Sequence, residues 1–99
     1  MTDARQPHVL TYDVVDDKRR ARLAKYLTAH GHRVQYSVFE LLATDSELGT
    51  ILSGAQDASR FDSKTDSLRC YSLCVRCLVG AKVMGAAPGV LTPGSAVVL

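Results

Sequence analysis

The sequence predicts an α+β fold in which two helices pack on one face of a small sheet, in the ferredoxin-like order βαββαβ. Three observations lead to this prediction. The chain has 99 residues, which is enough for one domain. Its apolar fraction of 46% against 22% charged residues is typical of a folded globular chain. Strand patterns and helix patterns then alternate along it, which favours helices packed on a sheet.

The first strand is predicted from His8 to Val15, where apolar, β-branched and aromatic residues follow one another. Such a run is typical of a central strand covered on both faces. Asp13 is the exception, because a carboxylate at the end of such a strand loses hydration unless a partner compensates. Asp16 and Asp17 then supply an N-cap and first-turn negative charge for a helix that we expect to reach His30.

The middle of the chain predicts extended structure followed by a second helix. Residues 33–42 alternate apolar and polar side chains, which is the period of a strand. The ferredoxin-like order requires this segment to break into two short strands near Tyr36 and Ser37. Thr44 and Glu47 have the spacing of a capping box at the start of the second helix.

Two further strands are predicted, one from Ser67 to Leu73 and a short one from Val79 to Met84. We assign residues 1–85 to the ferredoxin-like domain. Residues 86–99 contain two Pro-Gly pairs and no charged residue. They form either a loose tail or an extra C-terminal strand or arm that pairs with a sheet edge.

Charge and cysteine usage narrow the class of protein. Six of the twelve Lys and Arg residues lie between Asp16 and Arg33, whereas acids dominate from Glu40 to Asp66, so the chain has a basic and an acidic zone.

No apolar run approaches the roughly 18 residues of a membrane span, so we expect a cytoplasmic protein with no membrane partner. The cysteines suit a reducing compartment as free thiols, and they lack the fourth ligand of a structural zinc site. The three cysteines are Cys70, Cys74 and Cys77.

Asp13, preceded by Tyr12, is the candidate catalytic and metal-binding residue. Mg²⁺ is commonly bound by one or two carboxylates with water and substrate phosphate, so one Asp per chain suffices only if a symmetric dimer brings two together. Nearby arginines would then hold the flanking phosphates. The residues alone leave alternatives open: Asp13 could cap the following turn, and the basic run could be a solvated helix face. His30 and His32 are general-base candidates only by type, and His30 is expected to be a packing residue.

Three motifs of the chain are distinctive. They are L-T-Y-D-V from Leu10 to Val14, D-D-K-R-R from Asp16 to Arg20, and R-V-Q-Y-S-V-F-E from Arg33 to Glu40. Together, these motifs resemble the family of CRISPR-associated protein two, the small subunit of the spacer-acquisition machinery, described as a metal-dependent endoribonuclease. They occur in the family's order and spacing, and the resemblance extends from His8 to Gly85.

The resemblance implies a ferredoxin-like homodimer in which Asp13 of each chain faces its mate and holds a divalent metal, Mg²⁺ or alternatively Mn²⁺. It also implies nucleic-acid-binding residues and residues that line or support the dimer cleft. The first group is Arg20, Arg22 and Arg33, and the second is Tyr12, Ser37 and Phe39.

The resemblance leaves three functions open. The first is an endonuclease that hydrolyses single-stranded RNA or double-stranded DNA during spacer acquisition in a prokaryotic cytoplasm. The second is a non-catalytic dimeric scaffold that bridges dimers of the larger CRISPR adaptation integrase and holds prespacer DNA. The third, which is the poorest, is a toxin-like RNA interferase.

Overall fold

The computed structural model describes residues 4–82 and 84–85, which form four strands and three helices. In chain order these are β1 (Gln6–Asp13), α1 (Asp17–Thr28), β2 (His32–Gln35), β3 (Val38–Ala43), α2 (Asp45–Ser59), β4 (Ser67–Ser72) and α3 (Val75–Val79). In this part of the chain no helix is long and apolar enough to cross a membrane.

The four strands form one antiparallel sheet in the order β2-β3-β1-β4. With α1 and α2 inserted after β1 and β3, this is the ferredoxin-like arrangement, so the predicted fold class is confirmed. The predicted break in the middle of the chain is also confirmed. β2 ends at Gln35, Tyr36 and Ser37 form the turn, and β3 begins at Val38.

The core lies between the sheet and the two long helices. Leu10 of β1 and Phe39 of β3 are fully buried against Leu23 and Leu27 of α1. α2 completes this layer with Ile51. Burying such side chains supplies the main stabilising free energy of a small domain.

The prediction that β1 is covered on both faces is wrong for the single chain. Alternate residues of the strand point to opposite faces of the sheet. Leu10 and Tyr12 face the helices and are buried, whereas Val9 and Thr11 on the other face are only half-buried. Both long helices pack on the same side, so neither of them covers the second face of the sheet, which we call the open face of the described residues.

Both predicted helix starts are confirmed by their caps. The Asp16 carboxylate accepts a hydrogen bond from the Arg19 backbone N–H at 2.9 Å. Thr44 and Glu47 form the full capping box, with reciprocal side-chain to backbone distances of 3.0 and 2.9 Å. The end of the first helix differs from the prediction, because α1 stops at Thr28 and His30 lies outside it, exposed to solvent. The expectation that His30 is buried or half-buried is therefore wrong, whereas the expected packing is present, because its ring lies against that of Tyr26 with 4.7 Å between the centroids.

The predicted short strand from Val79 to Met84 is also wrong in the described residues. The chain forms helix α3 over Val75–Val79, and residues 80–82 and 84–85 are not in a strand. A short apolar run is ambiguous between helix and strand, and here Leu78 gains burial on the helix. The arm predicted at residues 86–99 lies outside the described residues.

Candidate functional site

Asp13 is the last residue of β1 and is exposed. In the sheet it lies opposite Ser67, the first residue of β4. The alternation along β1 places it on the same open face as Val9 and Thr11, away from the helices. The candidate carboxylate thus lies at one end of the uncovered face of the sheet.

The open face carries apolar side chains along its length. Val38 of β3 is half-buried, Leu42 of β3 is 43% exposed and Tyr71 of β4 is 54% exposed. Together with Val9, they give this face an apolar part that a second sheet could cover, and the charged residues Glu40 and Arg69 lie on the same face.

A hydrogen-bonded group lies beside the end of β1 and centres on the backbone oxygen of Tyr36. The Tyr12 hydroxyl donates to this oxygen at 3.3 Å, and the Arg33 Nε donates to it at 2.9 Å. The Arg33 guanidinium also lies over the Tyr36 ring, 4.8 Å from its centroid. Burial raises the pKa of Tyr12, so its hydroxyl stays protonated and can donate this bond at neutral pH.

Arg20 approaches the same end of β1 from the first helix. One of its terminal nitrogens donates to the Val14 backbone oxygen at 2.8 Å, and the other contacts the carboxylate of Asp17. Val14 directly follows Asp13 in the chain, so this hydrogen bond fixes the Arg20 guanidinium at the backbone of the residue after the candidate carboxylate. A guanidinium has five N–H donors, so both Arg20 and Arg33 keep donors for a further anion.

A cationic groove of about 570 Å³ runs between α1 and the turn that joins β2 to β3. Its charged lining includes Arg20, Lys25 and Arg33, with Asp17 as the acid. Uncharged side chains of both elements complete it. These are Ala21, Ala24, Thr28 and Tyr36.

The structure does not bring every predicted cation into this groove. Arg22 is exposed on α1 but is not among the residues that line it. Two residues of helix correspond to about 200° of rotation, so Arg22 faces a different direction from Arg20. Its assignment as a nucleic-acid-binding residue stays a prediction.

The remaining predicted residues, Ser37 and Phe39, both contact Tyr12. The Ser37 backbone oxygen accepts a hydrogen bond from the Tyr12 N–H at 3.2 Å. Phe39 is fully buried and stacks on the Tyr12 ring, with 6.2 Å between the ring centroids. Both residues therefore hold Tyr12 in place, and their location at a dimer cleft stays a prediction.

The site offers little for a metal within one chain. Among the described residues, no group of three or more His, Cys, Asp and Glu side chains is arranged to hold a metal ion. Asp13 alone fits Mg²⁺ only if water, phosphate or another chain supplies the other oxygens. The donor chemistry suits the predicted ion, but one chain does not complete the shell.

The histidines lie at the wrong ends of their strands to serve Asp13. His8 is near the start of β1 and is buried, with its ring nitrogens bonded to Ser72 Oγ at 2.8 Å and the Ala43 oxygen at 3.1 Å. His32 begins β2, whereas the turn that reaches Tyr12 follows the end of that strand. His8 therefore has a structural role, and the lack of a general base noted from the sequence persists.

Sequence reasoning missed two residues of the groove, Lys25 and Tyr36. In the sequence, Lys25 belongs only to the basic run, and Tyr36 marks only the break between two strands. In the structure, Tyr36 is 72% exposed. A signal was available for Lys25: the groove residues of α1 recur at intervals of three and four, which marks one side of a helix. No comparable signal existed for Tyr36, because its exposure depends on the β2–β3 turn.

The fold and the site together define a small ferredoxin-like protein with an exposed carboxylate at the end of its first strand and a cationic groove along its first helix. The sequence profile of the family described as CRISPR associated protein Cas2 matches residues 7–79. The chain belongs to this family.

Individual relatives agree with this assignment. The chain is 36% identical over 91 residues to "CRISPR-associated endoribonuclease Cas2 3" of Synechocystis, covering 92% of this chain and 97% of the relative. The crystal structure of Streptococcus pyogenes Cas2 is 33% identical, with a TM-score of 0.67 over 80% of this chain and 99% of that chain. A chain of a partial Cas6-RT-Cas1–Cas2 complex is 25% identical, with a TM-score of 0.60 over 80% of this chain and 90% of that chain.

Proposed function

We propose that this chain is a metal-dependent endonuclease of CRISPR adaptation that hydrolyses phosphodiester bonds in single-stranded RNA or double-stranded DNA. The observation that carries the proposal is the exposed carboxylate of Asp13 at the end of β1, whose following residue, Val14, accepts a hydrogen bond from Arg20 of the cationic groove. The Synechocystis relative, which the chain covers almost completely, is named an endoribonuclease.

The proposal requires a homodimer formed through the open face of the sheet. A small domain that leaves apolar side chains such as Leu42 and Tyr71 exposed on one face gains stability by covering them. Asp13 lies on that face, so pairing two such faces about a two-fold axis would bring two Asp13 side chains toward each other. The exposed apolar surface and the position of Asp13 thus support the same dimer.

In this dimer, the two Asp13 carboxylates, one from each chain, would together hold one shared divalent ion, Mg²⁺ or Mn²⁺. When bound, such an ion polarises a phosphoryl oxygen and lowers the pKa of a bound water. The chain's own residues position the nucleic acid. Tyr12, fixed by its bond to the Tyr36 oxygen and by stacking on Phe39, holds the end of β1 and with it the carboxylate.

The groove would hold the phosphate backbone that flanks the scissile bond. Its guanidinium groups can form charge-assisted pairs with phosphate, and Lys25 adds a point charge. Contacts of this kind do not depend on base identity, so binding should show little sequence preference and fall steeply with salt.

A second candidate function is a non-catalytic scaffold that holds DNA between dimers of the adaptation integrase. One observation favours it: none of the three histidines of the chain lies at the end of β1 that carries Asp13. A site without a general base would suit binding better than hydrolysis. The similarity to a chain of a partial Cas6-RT-Cas1–Cas2 complex supports an integrase partner for either function.

The test is cleavage of end-labelled single-stranded RNA and double-stranded DNA by the purified chain, with Mg²⁺ or Mn²⁺, for the wild type and Asp13→Asn. We expect cleavage by the wild type and its loss in Asp13→Asn, because an amide supplies one neutral oxygen in place of a carboxylate. Asp57→Asn is the matched control, since Asp57 is an exposed acid on α2.

Circular dichroism and sedimentation of each variant check the fold and the dimer. Cleavage that persists in Asp13→Asn would contradict the assigned site. A wild type that binds DNA and integrase but cuts neither substrate at any pH tested would establish the scaffold instead. Cleavage by a strictly monomeric chain would contradict the shared metal site.

A further inference from the structure

Two cysteine thiols lie in contact on the surface after the last strand of the sheet. The Sγ atoms of Cys74 and Cys77 are 3.0 Å apart, and the Cys77 backbone N–H donates to Cys74 Sγ at 3.1 Å. Both side chains are exposed in the described part of the chain, and both are free thiols. The nuclease site makes no use of them.

The backbone holds this pair in a defined turn. The segment C-V-R-C is separated from β4 only by Leu73, and Cys74 is the extended residue that caps α3. On one side, the Leu73 N–H donates to the Pro7 oxygen at 2.9 Å, and on the other, Leu78 is 4% exposed. Cysteines three residues apart at a helix start lie at a separation that a disulfide can bridge.

The three thiols differ in character. The hydrogen bond between the Cys74 and Cys77 thiols, followed by the one that Cys74 accepts from the Cys77 backbone N–H, lowers the pKa of Cys74. Burial raises the pKa of Cys70. The contact that lowers the Cys74 pKa appears only in the folded turn, so the sequence alone could not predict it. Cys74 is the candidate nucleophile of the pair.

We propose that Cys74 and Cys77 are a redox-active dithiol that exchanges with small disulfides and closes reversibly into an intramolecular disulfide. A soft-metal site is disfavoured by the lack of a third ligand in residues 4–82 and 84–85. The C-x-x-C spacing in a reducing compartment indicates the same redox chemistry. The proposal is independent of the nuclease, since it involves neither Asp13 nor the cationic groove.

The exchange with oxidised glutathione proceeds in two steps. The Cys74 thiolate attacks one sulfur of the small disulfide, the S–S bond breaks, and one glutathione thiolate leaves. Cys77 then loses its proton and attacks Cys74 Sγ, which breaks the mixed disulfide and releases the second glutathione. In total, the protein loses two electrons and two protons, and one glutathione disulfide becomes two thiols.

The order of the steps follows from the interaction between the two sulfurs. While Cys74 is a thiolate, its hydrogen bond and its negative charge raise the pKa of Cys77. In the mixed disulfide Cys74 carries no charge, so both causes disappear and Cys77 deprotonates more readily. The resolving thiol is thus activated by the first step.

The test is titration of free thiols in the denatured full-length chain after incubation of the native protein with oxidised glutathione. The chain has three cysteines, so we expect three thiols before treatment, one after it, and three again after reduction with glutathione. Peptide mapping should assign the lost pair to Cys74 and Cys77, with a mass decrease of two hydrogens.

Variants identify the role of each sulfur. In Cys77→Ser, the mixed disulfide cannot resolve, so one glutathione should remain on Cys74. Cys70→Ser is the matched control and should still lose both of its remaining thiols. Iodoacetamide should alkylate Cys74 faster than Cys70 in the native wild type.

Several results would overturn the proposal. They are three thiols still free after treatment, glutathione adducts without ring closure in the wild type, or a mapped disulfide that contains Cys70. The wild-type titration decides the question even if a variant fails to fold.

Discussion

The guanidinium of Arg19 on α1 and the carboxylate of Asp66 before β4 form an ion pair, with 3.1 Å between Nε and Oδ2. Asp66 is buried, and it also accepts hydrogen bonds from the backbone N–H groups of Val15 at 3.2 Å and Asp62 at 3.0 Å. The pair connects the basic helix with the acidic segment, so the two zones expected from the charge distribution are joined here and are not fully separate surfaces.

The stability of the fold should depend on pH through Asp66. Hydrogen bonding by Arg19, followed by the backbone bonds, lowers its pKa from 3.8 to about 2. Because the folded pKa is the lower one, the contribution is fully present above pH 4 and is lost as the pH falls toward 2. We expect the free energy of unfolding in urea to lose about 2 kcal/mol over that window from this group.

Asp66→Asn isolates the contribution, since Glu47 also has a pKa of about 2 through its bond to Arg5 and titrates in the same window. The variant should be about 2–4 kcal/mol less stable at pH 7, because it leaves Arg19 without its charged partner. Its stability should also fall less between pH 4 and 2. Asp57→Asn, an exposed acid, should stay within about 0.5 kcal/mol of the wild type. Equal slopes in the wild type and Asp66→Asn would contradict this assignment.

The groove predicts which helix cations contact nucleic acid. Lys25 lines it, whereas Arg22 is exposed on the same helix and lies outside it. We expect Lys25→Ala to weaken DNA binding and to reduce the slope of log K against log salt by about 1, the effect of one lost phosphate contact. Fluorescence anisotropy at several salt concentrations measures both quantities.

Arg22→Ala is the matched comparison, because it removes one charge from the same exposed helix. Its slope should change less than that of Lys25→Ala. A larger effect of Arg22→Ala would mean that the nucleic acid binds the other side of α1. It would contradict the groove as the binding surface and support the prediction of Arg22 from the sequence.

Two glycines of α2 should respond to alanine in opposite directions. A Cβ at Gly54 would overlap the hydroxyl of Tyr26, which donates to the Ile51 oxygen at 3.0 Å. Gly54→Ala should therefore destabilise the fold by about 1–3 kcal/mol. Gly49 has no atom within 4 Å of such a Cβ, so Gly49→Ala should stabilise the helix by about 0.5–1 kcal/mol. Thermal unfolding of both variants checks the pair, and a stabilised Gly54→Ala would mean that Tyr26 moves aside freely.

Local signals in the sequence predicted most of the fold. The capping box of Thr44 and Glu47, the Asp16 cap and the alternation on both sides of Tyr36 are short-range patterns, and each was confirmed. The short strand at Val79 failed because an apolar run of a few residues fits a helix or a strand equally well.

The candidate site could be predicted only in part. The strand-end position of Asp13 follows from the sequence pattern, and Arg20 and Arg33 were placed near it through the family motifs. The use of one Tyr36 oxygen by both Tyr12 and Arg33 could not be predicted, because it depends on how the β2–β3 turn folds back on β1.

By itself, the sequence determined the order of strands and helices from β1 to β4, the family, and the identity of the acid at the end of the first strand, since these features follow from local periodicity and motif spacing. Only the tertiary structure decided which face of the sheet stays open, which helix cations share the groove, that Arg19 pairs with Asp66, and that Cys74 contacts Cys77. Those features depend on the directions of side chains and on which residues become neighbours, either across long stretches of the chain or within a tight turn. Both are fixed only when the backbone has folded.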